Sequence, residues 1–240
     1  MRVVVFTIAL LFVVLPRTAL AECRLALVLA LDVSGSVNEV EYAQQLNGLA
    51  FALNSEDVRD AILAGGRASA DLAAFEWSSQ NHQFVVQQWI TLDSHAAIDA
   101  AVARIKAYRK QRAGLKTALS TALEFAGTLL SQKPHCWQRT IDVSGDGKNN
   151  IGPPVSHAYG RKSLAGVTVN ALVIGTPTSS QAPGVEGSAK SDLRAYYEST
   201  VIRGPGAFAM VANGYADYAR AMRLKLLREL AFPVLGAASR

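Results

Sequence analysis

Apolar positions along the chain fall into two alternating patterns. Residues 25–31, "LALVLAL", are a continuous apolar run ended by "DVSGS", which predicts a strand buried on both faces. In 39–53, Val40, Ala43, Leu46, Leu49, Ala50 and Leu53 recur at helical spacing. Strand-like stretches follow at 70–77 and 83–92, then helical ones at 94–107 and 117–132. In the second of these, Ala118, Leu119, Ala122, Phe125, Ala126, Leu129 and Leu130 share a face. Residues 139–144 and 167–174 predict two more strands, separated by a helix-length stretch. A Gly/Pro/Ser-rich loop at 175–190, a short helix at 191–199, a last strand at 206–211 and a closing helix at 214–230 complete the chain. Strands alternating with helices predict a parallel sheet covered on both faces.

The first 21 residues break this pattern. Arg2, the apolar run Val3–Leu15 and Ala19-Leu20-Ala21 have the layout of a cleaved signal peptide. The run is too short to span a bilayer, which needs about 20 residues. Glu22 argues against a lipid anchor on Cys23. The expected organisation is a signal peptide at 1–21, one domain at 22–231 and a tail at 232–240, in a periplasmic or secreted protein. No second long apolar run follows, so no transmembrane segment is expected in the mature chain.

The formal net charge of +5 falls by two without Arg2 and Arg17. That balance, with no basic stripe interleaved with aromatics, gives no case for nucleic acid. Arg220, Arg223, Lys225 and Arg228 on the last helix read as a solvated polar face.

"DVSGS" at 32–36 is echoed by "DVSGDG" at 142–147. As a repeat, Asp32 and Asp142 would be equivalent. Yet Asp32 ends a seven-residue apolar run, whereas Asp142 follows only "RTI" and lies inside its strand. The carboxylate level with Asp32 is Asp146. The two cysteines agree: Cys23 precedes Asp32 by nine residues and Cys136 precedes Asp146 by ten. Adjacent parallel strands, ~4.8 Å apart, then bring both sulfurs to the opposite end of the sheet. A disulfide spans Cα atoms roughly 4.4–6.8 Å apart. A repeat alignment would instead leave a misfit of roughly 10 Å. A Cys23–Cys136 disulfide is expected, in keeping with an oxidising compartment.

The two loops therefore meet at the carboxyl ends of the strands, where open α/β sheets bind ligands. Ser34, Ser36 and Thr117 join Asp32 and Asp146 there as candidate ligands. Two carboxylates and three hydroxyls suit a hard divalent cation, Mg²⁺, Ca²⁺ or Mn²⁺, more than Zn²⁺. Each residue also has a plainer reading. Ser36-Val37-Asn38-Glu39 has the form of a capping box, Ser34 and Gly35 suit a turn, and Asp146-Gly147 suits another. Thr117 could be a first-turn polar residue, with Ser120 and Thr121 as neighbouring candidates. Asp142 reads as a hydrogen-bonded structural carboxylate.

On these residues the sequence resembles the von Willebrand factor type A superfamily. "DVSGS" matches the D-x-S-x-S motif of its metal-ion-dependent adhesion site, and Thr117 and Asp146 match the later Thr and Asp positions. The likeness runs from about 25 to 230 in motif order. "DVSGDG-x-NN" and "GPGAF" are similar to an exported bacterial subgroup of uncharacterised function. The resemblance implies a doubly wound, mostly parallel six-stranded sheet with helices on both faces and one antiparallel edge strand. It also implies a metal held directly by Ser34, Ser36 and Thr117, and through water by Asp32 and Asp146. One open position would take a carboxylate from a partner protein.

Two other function classes compete with this reading. An enzyme lacks its usual marks: position 34 is Ser where strand-end aspartate phosphotransferases carry D-x-D, and no G-x-S-x-G or Walker A loop occurs. His82, His95, His135 and His157 lack metal-ligand spacing, and the EF-hand-like 142–153 ends in Pro153 where Glu is needed. A metal-independent scaffold of the same fold is the other alternative. The expectation is a metal-dependent, adhesion-type protein-binding module.

Overall fold

The computed structural model describes residues 22–111, 113–175 and 188–231. The expected signal peptide, the tail and most of the Gly/Pro/Ser-rich loop lie outside the described residues.

Among the described residues, six strands form one sheet: β1 (Glu22–Asp32), β2 (Ala68–Trp77), β3 (Gln83–Leu92), β4 (Gln138–Gly145), β5 (Thr168–Gly175) and β6 (Ala209–Asn213). Their order is β3-β2-β1-β4-β5-β6, and only β3, at one edge, runs antiparallel. The expected doubly wound sheet with its one antiparallel edge strand is the observed fold. The helices are α1 (Glu39–Asn54), α2 (Glu56–Leu63), α3 (His95–Ala107), α4 (Leu119–Leu130), α5 (Val155–Ala158), α6 (Ser188–Tyr196) and α7 (Tyr218–Leu230).

The continuous apolar run of β1 follows from its central position. Leu25, Leu27, Leu29 and Leu31 pack into a core with α1, α2, α3 and α7. Ala26, Val28 and Ala30 face the opposite core, which α4 closes with Leu119, Ala122, Leu123, Ala126 and Leu130. Each buried leucine contributes about 1.5–3 kcal/mol, so the sheet is held from both faces. A bulge between Cys23 and Leu25 shifts the alternation and turns Cys23 toward the α4 side. Cys23 and Cys136 form the expected disulfide, with Cα atoms 4.6 Å apart.

Several elements depart from the sequence pattern. Helix α2 was not foreseen. It is short, and its last turn is held from outside: buried Arg24 donates to the carbonyls of Ala61 and Ile62, both at 2.8 Å. Between β4 and β5 the helix-length stretch holds only four-residue α5 and a 3₁₀ turn at Lys162–Leu164. The last strand begins three residues later than expected, because Gly204 and Gly206 adopt positive φ and spend 203–208 in a turn.

The polar face expected on α7 is broken at Lys225. Its side chain is fully buried, with Nζ 2.8 Å from Asp142 Oδ1 and 2.6 Å from Glu229 Oε1. Asn170 Nδ2 also donates to Glu229 Oε1 at 2.9 Å. Asp142 is thus the structural carboxylate that its position inside a strand suggested. Arg220 and Arg223 do face outward, paired with Asp217 and Asp57.

Candidate metal centre

Strand β1 connects onward to β2 on one side of the sheet, and its other neighbour β4 connects to β5 on the other side. The loops after β1 and β4 therefore diverge and leave a crevice at their carboxyl ends, the usual ligand position in such sheets. Asp32 closes β1 with its side chain wholly buried. Oδ1 accepts the backbone N–H of Ser34 at 2.8 Å, which sets the turn. The backbone carbonyl of Asp32 accepts from buried Gln45 Nε2 at 3.0 Å.

The hydroxyls form a chain above this carboxylate. Thr117 Oγ1 donates to Ser34 Oγ at 3.3 Å, Ser34 Oγ lies 3.4 Å from Ser36 Oγ, and Ser36 Oγ donates to Asp146 Oδ1 at 2.8 Å. The structure thus brings together all five sequence-predicted residues, from three separate segments. Ser120 is excluded, since its hydroxyl donates to the Pro154 carbonyl at 3.1 Å.

The capping box expected at Ser36 is displaced. Asn38 is the N-cap of α1, its Oδ1 accepting from Val40 and Glu41, and Glu41 bonds back to the Asn38 N–H. The box exists two residues later than read, so Ser36 is free to face Asp146.

One atom in this arrangement lacks a partner. Asp32 Oδ2 is buried and accepts no hydrogen bond. Glu76, an equally buried carboxylate on β2, makes the contrast: it accepts from Tyr42 Oη, Tyr108 Oη and the Gln111 N–H. A bare buried carboxylate oxygen is costly. Burial, reinforced by the charge of Asp146, pushes Asp32 up to about 7, against the pull of the Ser34 N–H, the Ser34 hydroxyl and the Asp146 N–H. Burial also raises Asp146, offset in part by the Ser36 hydroxyl. A divalent cation relieves both effects, and an all-oxygen donor set fits a hard one.

Four residues that shape the centre were not singled out from sequence. Asn150 clamps Thr117: its Oδ1 accepts the Thr117 N–H at 2.8 Å, its N–H donates to the Thr117 carbonyl at 3.0 Å, and Nδ2 lies 3.5 Å from Oγ1. Asn149 braces the next turn, accepting from the Ser120 N–H and donating to the Pro153 carbonyl. Tyr197 Oη donates to the Gly147 carbonyl at 3.1 Å, and the Tyr215 phenol is raised by its burial first and then by the charge of nearby Asp146. The paired Asn residues after "DG" were the visible signal for the first two. Nothing local marks the tyrosines, which arrive from distant segments.

Two glycines are required by space. A Cβ on Gly145 would sit 2.3 Å from Tyr197 Oη and 3.3 Å from Asp32 Oδ2, and one on Gly35 would sit 2.9 Å from the Leu115 carbonyl. Beside Ser34 opens a cleft of about 600 Å³ bounded by Val37, Lys110, Gln111 and Leu115. Leu115 projects into solvent, 82% exposed.

No curated protein matches the sequence. Among solved structures, a von Willebrand factor type A protein from Catenulispora acidiphila superposes with a TM-score of 0.56 at 16% identity, over 87% of this chain and 43% of that one. The pilus adhesin SpaC from Lactobacillus rhamnosus GG superposes with a TM-score of 0.58 at 12% identity, over 87% and 30%. Proximal thread matrix protein 1 from the mussel byssus, in a form with a zinc-occupied MIDAS motif, gives 0.55 at 17% identity, over 87% and 48%. This chain spans less than half the length of each. The fold is that of the von Willebrand factor type A domain, and the match of residues 22–234 to its family model places the chain in the family described as "Protein of unknown function (DUF1194)".

Proposed function

We propose that the chain is an exported, metal-dependent protein-binding module of adhesion type, and not an enzyme. The observation that carries this reading is the buried, unpartnered Asp32 Oδ2 beneath a chain of hydroxyls and a second carboxylate. Ser34, Ser36 and Thr117 would hold the ion, with Asp32 and Asp146 offsetting its charge. When bound, the divalent ion supplies an electrophilic position for a carboxylate of the partner. The chain's own residues prepare that position. The Ser34 N–H orients Asp32, Asn150 fixes Thr117, and the cleft along Lys110 and Leu115 seats the partner's surface around it.

Magnesium, calcium and manganese are the expected ions. Zinc belongs in the same panel, because a structure of similar fold carries it in this motif. The disulfide agrees with export, and among the described residues no helix is long and apolar enough to cross a membrane.

Calorimetric titration of the oxidised protein with each ion tests the reading. One saturable site is expected in the wild type and none in Asp32→Ala with unchanged circular dichroism. No saturable binding, or equal binding in the variant, would overturn it. A metal-independent scaffold has one observation in its favour: the hydroxyls already bond to one another and to Asp146. Partner capture from native envelopes that survives EDTA and Asp32→Ala would select that alternative.

A further inference from the structure

At the amino-terminal end of the sheet, roughly 30 Å along β1 from Asp32, a second group of ligand atoms converges. The sulfurs of Cys23 and Cys136, a ring nitrogen of His135 and a carboxylate oxygen of Asp71 all lie within 4.8 Å of one another. Three of these residues are buried and His135 opens to solvent. The disulfide accounts for the cysteines, but not for the company they keep. Asp71 is 3% exposed, on β2 at the level of Ala26, and its Oδ1 has no hydrogen-bond partner. Its other oxygen is 2.7 Å from Lys133 Nζ, and that ammonium also stands 5.3 Å over the Trp89 ring. A disulfide offers a neighbouring carboxylate oxygen no donor, and the protein supplies this buried one with none.

We infer that the Cys23–Cys136 disulfide covers a latent zinc site, which forms from Cys23, Cys136, His135 and Asp71 when the bond is reduced. A dithiol reductant converts the disulfide to two thiols and is itself oxidised to a disulfide. Zinc then displaces the two thiol protons to solvent. Two thiolates, one neutral imidazole and one carboxylate form a tetrahedral set of the kind zinc prefers. With bonds of about 2.0–2.3 Å, tetrahedral ligand atoms stand roughly 3.3–3.8 Å apart. The outer atoms thus close by about an ångström while the sulfurs separate. The complex carries one net negative charge, which Lys133 offsets from its place on Asp71 Oδ2. His135 supplies the open side through which an ion enters. The hydroxyl centre at the other end is hard and the thiolate site is soft, so the two select different ions.

Cobalt(II) is the probe, because thiolate ligation produces a near-ultraviolet charge-transfer band and tetrahedral geometry produces intense visible bands. The purified chain is reduced with a phosphine, which takes oxygen from water and leaves both sulfurs as thiols, and the phosphine is then removed. Reduced wild type should take up one cobalt with both signatures, and zinc should erase them. The oxidised chain and Cys136→Ser should not produce them. Asp32→Ala should retain them, which separates this site from the proposed adhesion-type centre. Asp71→Asn and His135→Ala should weaken cobalt binding by more than the roughly 10–100-fold that loss of an outer-shell partner costs. Absence of thiolate–cobalt bands in the reduced wild type, or their persistence at full affinity in both variants, would overturn the inference. If the reduced chain unfolds without metal, zinc should restore its circular dichroism and a chelator should abolish it again; failure of that rescue would overturn it equally.

Discussion

Ser36 Oγ donates a 2.8 Å hydrogen bond to Asp146 Oδ1 across 110 residues of sequence. This contact ties the loop after β1 to the loop after β4 and completes the chain of oxygens. Asp146→Ala should therefore lower the affinity for manganese at least about tenfold. Stability should change by only about 0.5–1.5 kcal/mol, the worth of one hydrogen bond. Calorimetry and thermal melts on the same sample check both. A large melting-temperature loss would assign Asp146 a structural role instead.

The oxygen cluster should also respond to pH. Asp32 sits at about 7 in the folded, ion-free protein, against about 3.9 in an unfolded chain. Between these values the native state holds a proton that the unfolded state has released. The ion-free protein should therefore lose stability as pH rises from about 4 to about 7. Metal binding runs the other way, since it requires the carboxylate. Affinity should fall by up to about tenfold per pH unit below 7 and level off above it. Titrations from pH 5 to pH 8 read the slope, and a flat profile would contradict this account of Asp32.

Asn150 acts on the centre only through Thr117. Asn150→Ala should weaken manganese binding by roughly 10–100-fold, as loss of an outer-shell partner does. The Thr117 loop carries the effect, so the disulfide and sheet should be untouched. Asn150→Asp, which keeps the acceptor toward the Thr117 N–H, should recover part of the loss.

Gly145 and Tyr197 are coupled by space. Gly145→Ala should destabilise by about 1–3 kcal/mol through overpacking. Tyr197→Phe removes the oxygen that the new methyl meets, so the double variant should be more stable than Gly145→Ala alone. Denaturant melts of the four-member cycle measure that coupling, and additivity would refute it.

Lys225 tests the other face. Lys225→Met leaves Asp142 and Glu229 buried together without their shared cation, and should cost about 3–5 kcal/mol. For a domain of this size that is roughly 6–20 °C in melting temperature. The proposed metal centre lies at the strand ends, so ion affinity of the folded fraction should not change.

The elements that were legible in the sequence are those whose environment is repeated along them. The apolar run of β1 announced a central strand because both of its faces are covered. The periodicities of α1, α3 and α4 announced helices because each buries one stripe. The pairing of Cys23 with Cys136 could be worked out from strand length alone, since parallel neighbours keep step at a fixed rise per residue. Asp32, Ser34, Ser36, Thr117 and Asp146 were legible as candidates through motif order. Lys225 was not, because α7 shows the same basic spacing whether a given side chain meets water or Asp142. The capping role passed from Ser36 to Asn38 because the turn that Ser34 and Gly35 suggested extends to Val37, whose N–H donates to the Ser34 carbonyl, and so delays the helix. Cys23, Asp71 and the adjacent pair His135-Cys136 stand on three segments distant from one another in sequence. Their convergence, like that of Tyr197 on Gly145, was decided only when packing set the distances, because burial and long-range contact are properties of the folded neighbourhood and not of any stretch of chain.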